Sequence, residues 1–330
     1  MTNRISMAIR GTGSAWPDRI MTNADFEKTL ETSDEWIRTR TGIRERRICA
    51  PGENTLTLSK LAAERALADA GMKAADLDMI VLATCTPVVP VPSTACFLQT
   101  ELGCGHIPAF DVAAACSGFV YAMVTASQFM ATGKYRAILV LGAECMSSIT
   151  DFEDRGTCIL LGDGAGAAIL TPADNDSSGL YDFCLGADGS GAQMIWVPAG
   201  GSQEPASPRT VNERLHYLKM RGREVYKFAV TKMQEVISDA LARTGLSAGD
   251  LAMVIPHQSN LRIIESAAEK LGIGPEKVAV NIDRFGNTSA ASIPLALDEA
   301  RRDGRLQSGD WIILAGFGAG LTWGSALIRL

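Results

Sequence analysis

Ala66–Val81 reads ALADAGMKAADLDMIV, and Ala240–Ile255, 174 positions later, reads ALARTGLSAGDLAMVI. Eight of the sixteen positions are identical. The same offset lays Ile138–Gly142 (ILVLG) on Ile312–Gly316 (IILAG). One match of this kind is ordinary wherever α/β units recur, but two at one offset point to a duplicated chain. Each copy predicts a long amphipathic helix. In the second, Val225, Phe228, Ala229, Met233, Val236, Ile237, Ala240 and Leu241 keep helical spacing, with Lys232 interrupting the stripe. Gly71 and Gly245 stand where a left-handed helix cap is wanted. Short, continuously apolar strands follow, Met79–Leu82 and Met253–Ile255. Such strands are buried on both faces, so each sheet should lie between helix layers. A further helix, Cys116–Thr132, ends at Gly133 and carries little charge on any face, which marks it as buried. The reading is an α/β fold of two duplicated halves, 1–171 and 172–330, sharing central helices.

Composition limits the function. The 330 residues are 47% hydrophobic and 21% charged, an ordinary globular balance that excludes disorder and long coiled coil. A net charge of −6 argues against general nucleic-acid binding. No apolar run is long enough to span a bilayer, and the first ten residues lack a signal core, so a cytoplasmic location is expected. None of the eight Cys forms a C-x-x-C pair, which leaves a zinc ribbon unsupported and predicts no metal. Trp196–Thr210, rich in Pro, Gly and Ser, predicts a surface loop near an entrance.

Cys116 follows the strand-like Ala109–Val112 and opens a helix. Unpaired N–H groups and the dipole there would lower a thiol pKa and favour the nucleophilic thiolate. A small core cysteine is the competing reading. Of three His, His216 looks exposed and His106 lies in a turn, whereas His257 comes directly after a buried strand. Ligands of open α/β sheets bind beyond such strand ends; a structural His is the alternative. Asn287 sits in a polar loop, Asp283–Ser292, that the repeat makes the counterpart of the Cys116 turn, although an Asn-Thr helix cap would look similar. Gly316–Gly320 offers backbone N–H groups to a developing oxyanion. Gly162–Ala167 satisfies G-x-G-x-x-A by letters, but an apolar strand-like run follows it, so it reads as a turn and not a dinucleotide site. Arg38, Arg40, Arg44, Arg46 and Arg47 crowd ten residues behind Trp36; a solvated face is the plain reading, a loop gripping phosphates the functional one.

Taken in order, several motifs make the chain resemble the β-ketoacyl-[acyl carrier protein] synthase III family of initiating condensing enzymes, with a thiolase-like fold. They are Thr32–Ile37 with Arg40–Ile43, Asp111–Gly118, Asp154–Gly156, Gly162–Gly166, Pro256–Arg262, Gly286–Ala290 and Gly316–Gly324. The resemblance implies five α-β-α-β-α layers and a Cys116, His257, Asn287 triad. It also implies an oxyanion hole from the backbone N–H groups of Cys116 and Ala319. Ala319 stands where many relatives have Gly, so its backbone angles must suit a Cβ. Trp36 and Arg155 would hold the adenine of CoA, with Arg40, Thr41 and Asn260 lining the approach. Lys227, Arg262 and Lys270 would meet an acidic acyl carrier protein. Val91 and Phe317 would bound the primer pocket, with the Val91 loop crossing a homodimer interface. The implied reaction acylates Cys116 from an acyl-CoA, then condenses it with malonyl-[acyl carrier protein] and loses CO2. CoA thioesters are substrates, and no cofactor is expected. Val91, smaller than the Phe of acetyl-preferring relatives, implies tolerance of longer or branched primers.

Three alternatives stand beside this reading. One is a related condensing enzyme of secondary metabolism with another acceptor or primer. A non-catalytic subunit would usually lack the nucleophile. A nicotinamide oxidoreductase would need a cofactor on a Gly loop.

Overall fold

The computed structural model describes residues 4–330. The first sheet is built from β1 (Ala8–Ala15), β2 (Met79–Ala83), β3 (Ala109–Val112), β4 (Ile138–Cys145) and β5 (Asp163–Thr171), in the spatial order β1-β5-β4-β2-β3. The second uses β6 (Gly179–Ala187), β7 (Leu251–Pro256), β8 (Trp311–Gly318) and β9 (Thr322–Arg329), in the order β6-β9-β8-β7. Both orders alternate in the same sense: two antiparallel contacts, then parallel pairing. The second sheet's fifth strand is reduced to one parallel bridge, Val278 on Val254. The register itself repeats: Ile80 faces Leu139 in one sheet and Val254 faces Ile313 in the other, each 174 residues on.

Helices fill the layers around these sheets. α1 (Asp34–Thr41) lies at the edge, while α2 (Thr55–Ala70) and α3 (Thr94–Glu101) cover the outer face of the first sheet. α5 (Gly222–Thr244) and α6 (Leu261–Leu271) cover the outer face of the second, after the central α4 (Gly118–Ala131). α4 and α7 (Ser292–Arg302) lie between the sheets and touch both. The expected five layers are present. Strand alternation explains the burial: Met79 and Val81 point into the central core, Ile80 and Leu82 into the outer one, and all four are apolar. Gly71 and Gly245 close α2 and α5 at φ +66° and +72°, the left-handed caps read from the sequence.

Two glycines let the layers close. A Cβ on Gly142 of β4 would lie 2.1 Å from the Ala290 carbonyl oxygen. Gly316, its equivalent in β8, packs against Cys116 and Ser117, where a Cβ would sit 3.3 Å from the Cys116 carbonyl oxygen. Each sheet thus receives the other sheet's helix-opening turn.

Some local readings change. The helix expected from Cys116 starts at Gly118, after a tight 3-10 turn at Ala115–Ser117. The glycine run Gly162–Ala167 is not a turn: from Asp163 it is strand β5, packed against α7 around Pro294. The Gly316–Gly320 stretch begins within a strand, since β8 runs on to Gly318. Trp196–Thr210 is irregular from Val197 to Ser207, where Ser207 caps a short helix, Pro208–Asn212. It hangs from a two-stranded ribbon, Ile195–Trp196 on Lys219–Met220.

Candidate active site

Two strained turns meet between the sheets. Ala115 has φ +45° and Ser289, 174 residues later, φ +48°. Each opens a 3-10 turn, Ala115–Ser117 and Ser289–Ala291, which runs into a central helix. Left-handed φ at a residue with a Cβ costs about 1–3 kcal/mol, so the surroundings must hold both turns. On the first, Ser117 Oγ and Thr322 Oγ1 donate to the Ala114 carbonyl at 2.7 and 3.1 Å. On the second, the Ser289 N–H donates to Asn287 Oδ1 at 2.9 Å. That bond also orients Asn287: its oxygen is occupied, and its Nδ2 group is left as the donor.

A cavity of about 100 Å³ opens over these turns, lined by Cys116, His257 and Asn287 with Asn260 and Phe317. Its walls are apolar, from Leu160, Ile195, Met220, Val225 and Ile263. His257 is 1% exposed, and burial pulls its pKa down to about 3, so the imidazole is neutral. Its Nδ1 lies 2.7 Å from Ser292 Oγ, and the Phe317 ring stands edge-on at 5.5 Å. Ser292 Oγ also reaches the Ser289 carbonyl at 2.9 Å. A hydroxyl has one proton. When Ser292 donates it to Ser289, His257 carries its proton on Nδ1 and presents an Nε2 lone pair. When Ser292 donates to Nδ1, the imidazole presents Nε2–H.

The thiol departs from expectation. Burial pushes the Cys116 pKa up to about 12, opposed by a hydrogen bond from Ser289 and assisted by the charge of Glu144. Burial is the largest influence on both groups, so the resting pair is neutral thiol and neutral imidazole. Glu144, fully buried on β4, had no sequence signal. It accepts hydrogen bonds from Thr84 Oγ1, the Cys85 N–H and Thr86 Oγ1 at 3.1, 3.1 and 2.6 Å, and burial raises its pKa.

The arginine segment proves to be the helix α1 and a strand, Glu45–Arg47, not one loop. Trp36 has the guanidinium carbons of Arg40 and Arg155 at 4.4 and 5.0 Å from its ring centre. Arg46 departs from the exposed cluster: it is fully buried, donating to the Met21 and Ile159 carbonyls and to Asn23. Thr41 also turns inward. It is 3% exposed, and its hydroxyl donates to the Ile37 carbonyl and accepts the Ile43 N–H, so it holds the end of α1 instead of facing a ligand. Asn260 caps α6 and donates to the Arg40 carbonyl at 3.0 Å, tying the Trp36 helix to the cavity wall.

Lys227 and Arg262 are exposed on neighbouring helices, with Arg262 over the Tyr226 ring at 5.9 Å. Lys270 is exposed too, but in the last turn of α6, about 12 Å along the axis from Arg262 at 1.5 Å per residue. Ala319 follows β8 and does not have a positive φ, so its Cβ is unstrained. The preceding Gly318 packs on the Cys116 amide, where a Cβ would sit 2.6 Å from the nitrogen. Val91 is 83% exposed and takes no part in lining the cavity within this one chain.

Residues 110–189 match the family model of 3-oxoacyl-[acyl-carrier-protein] synthase III, and residues 241–330 match that of its C-terminal part. The chain is 50% identical over 329 residues to a β-ketoacyl-[acyl-carrier-protein] synthase III of Caldanaerobacter subterraneus subsp. tengcongensis, covering 100% of this chain and 99% of that one. It superposes on the crystal structure of the synthase III of Aquifex aeolicus with a TM-score of 0.91 and 45% identity, over 98% of this chain and 100% of the other. The priming β-ketosynthase of the R1128 polyketide pathway gives a TM-score of 0.89 at 35% identity, over 100% and 98% of the two chains. A relative half identical along its whole length leaves one conclusion: the chain belongs to the 3-oxoacyl-[acyl-carrier-protein] synthase III family.

Proposed function

We propose that this acyltransferase condenses an acyl-CoA primer with malonyl-[acyl carrier protein], initiating fatty acid synthesis, through an acyl group carried on Cys116. The observation that carries the proposal is the single cavity over which Cys116, His257 and Asn287 converge, in a chain of this family. Residues 1–171 would supply the nucleophile and residues 172–330 the two polar partners.

The shifted groups define the first half-reaction. With thiol and imidazole both neutral, the proton must move as the bond forms. His257 Nε2 takes it while the sulfur attacks the thioester carbonyl, and returns it to the departing CoA thiolate. The backbone N–H groups of Cys116 and Ala319 receive the developing oxyanion. In the second half-reaction His257 donates. Rotation of the Ser292 hydroxyl toward Nδ1 places the proton on Nε2. That proton and the Asn287 Nδ2 group hold the malonyl thioester oxygen as CO2 leaves. The resulting carbanion attacks the acyl carbonyl, and the Cys116 thiolate departs and takes up a proton from solvent. A buried neutral His suits both roles, because a charged imidazolium could not act as the base.

Trp36, Arg40 and Arg155 would meet the CoA nucleotide, with Asn260 at the mouth of the cavity. Lys227 and Arg262, joined by Lys270, would meet the carrier protein. Val91 would reach the primer pocket of a second copy in a homodimer. Among the described residues no helix is long and apolar enough to cross a membrane, and eight free thiols suit the reducing cytoplasm.

The test is product formation from acyl-CoA and malonyl-carrier by wild type and by the Cys116→Ala, His257→Ala and Asn287→Ala variants. Loss of condensation in all three supports the reading; a Cys116→Ala variant as active as wild type overturns it.

A further inference from the structure

A second reactive cluster lies away from the substrate cavity. The sulfurs of Cys49 and Cys145 and a carboxylate oxygen of Asp163 are all within 4.8 Å of one another. Cys49 follows the strand Glu45–Arg47, Cys145 ends β4 and Asp163 opens β5. The carboxylate is already engaged. Asp163 Oδ2 accepts the Cys49 N–H at 2.7 Å and Ser147 Oγ at 2.6 Å, and Oδ1 accepts the Ser147 N–H at 2.8 Å. Cys145 Sγ also lies 3.8 Å from Asp163 Oδ2 and 3.6 Å from Ser147 Oγ. The two sulfurs face each other within 4.8 Å, a contact that draws the Cys145 thiol below its ordinary pKa and holds Cys49 above. Cys145 is buried, but Cys49 and Ser147 line a cavity of about 480 Å³ shared with Arg19, Met21, Asp25 and Phe152. A small solute can reach the pair through it.

We propose that Cys49 and Cys145 form an oxidisable dithiol that a peroxide closes to a disulfide. The sulfurs start within 4.8 Å of each other and close to a bonding distance of about 2 Å. In the first step the Cys145 thiolate attacks a peroxide oxygen. The O–O bond breaks, sulfenic acid forms on Cys145, and hydroxide leaves and takes up a proton. In the second the Cys49 sulfur attacks the sulfenic sulfur; the S–S bond forms, and the hydroxyl departs with the Cys49 proton as water. Two thiols and one hydrogen peroxide give one disulfide and two waters, with sulfur oxidised and peroxide reduced. A dithiol reductant reverses the change. Neither cysteine lines the Cys116 cavity, so the proposal is independent of the assigned condensation.

The full chain is treated with hydrogen peroxide, its remaining thiols are alkylated, and a non-reducing digest is mapped by mass spectrometry. The peptides holding Cys49 and Cys145 should appear in most chains as one species, two hydrogens lighter than their sum, and separate after dithiothreitol. Cys49→Ser and Cys145→Ser should each abolish it and keep wild-type condensation. The wild-type map decides the matter even if a variant folds poorly. Separate alkylation of both residues, separate sulfinic acids, or a bridge to any other cysteine overturns the proposal. So does a zinc ion that wild type retains through dialysis and Cys145→Ser loses, since the pair would then be metal ligands.

Discussion

Cys116 and His257 meet as neutral groups because both lose water on folding, and this has measurable consequences at each residue. A thiol held near pKa 12 is mostly protonated across the working range. Alkylation of Cys116 by iodoacetamide should therefore climb about tenfold per pH unit from about pH 6 to 9; a plateau near neutrality would show a lowered thiol instead. His257 adds an acid sensitivity. Its folded pKa of about 3 lies below the ordinary 6.5, so between these values the unfolded chain binds more protons. Stability should consequently fall as pH drops through that window. His257→Gln should flatten that part of a denaturation profile; an unchanged slope would remove His257 as its source. Ser292→Ala leaves Nδ1 without its partner. We expect kcat to fall roughly tenfold, with a changed pH profile and little change in KM for acyl-CoA; a purely structural role would lower Tm and leave the pH profile alone. The sequence marked Cys116, His257 and Asn287 through their flanking strands and turns. It could not mark Ser292 as the His257 partner, 35 residues away, or Glu144 as the acceptor beneath the Thr84–Thr86 loop, because only the packed layers bring them together.

At the scale of elements, the duplication is what makes the site. The turns with positive φ at Ala115 and Ser289 are equivalent, and each opens a central helix that the opposite sheet receives at a glycine. Gly142→Ala should cost at least about 1–3 kcal/mol by overpacking, because its Cβ would fall 2.1 Å from the Ala290 carbonyl oxygen. Urea unfolding measures this, and a wild-type midpoint would contradict the close approach. Helices, caps and buried strands were legible because their causes are local: apolar spacing, Gly after the last turn and continuous hydrophobic runs. The misread elements have distant causes. The glycines of β5 serve α7, far along the chain, so their local letters looked like a turn. Arg46 looked like one more surface charge because its acceptors Met21, Asn23 and Ile159 lie on other segments.

In the whole molecule, five layers fix the cavity that Cys116, His257 and Asn287 line, and under the proposed function its size would control which primer enters. Val91 is 83% exposed in the single chain and, under the proposed function, would bear on this only through a second copy. Val91→Phe should lower turnover of branched and longer acyl-CoAs more than that of acetyl-CoA, by about 1–3 kcal/mol of discrimination. Equal turnover of variant and wild type on every primer length would sink that assignment. If the acyl group rests on Cys116 before condensation, a single-turnover chase will catch it there. The protein is mixed with acyl-CoA, its intact mass and modified peptide are determined, and malonyl-carrier is then added. One acyl group should appear on the Cys116 peptide and be discharged into 3-ketoacyl-carrier with one CO2 released. An acyl group on any other residue, or condensation with Cys116 never acylated, would contradict it.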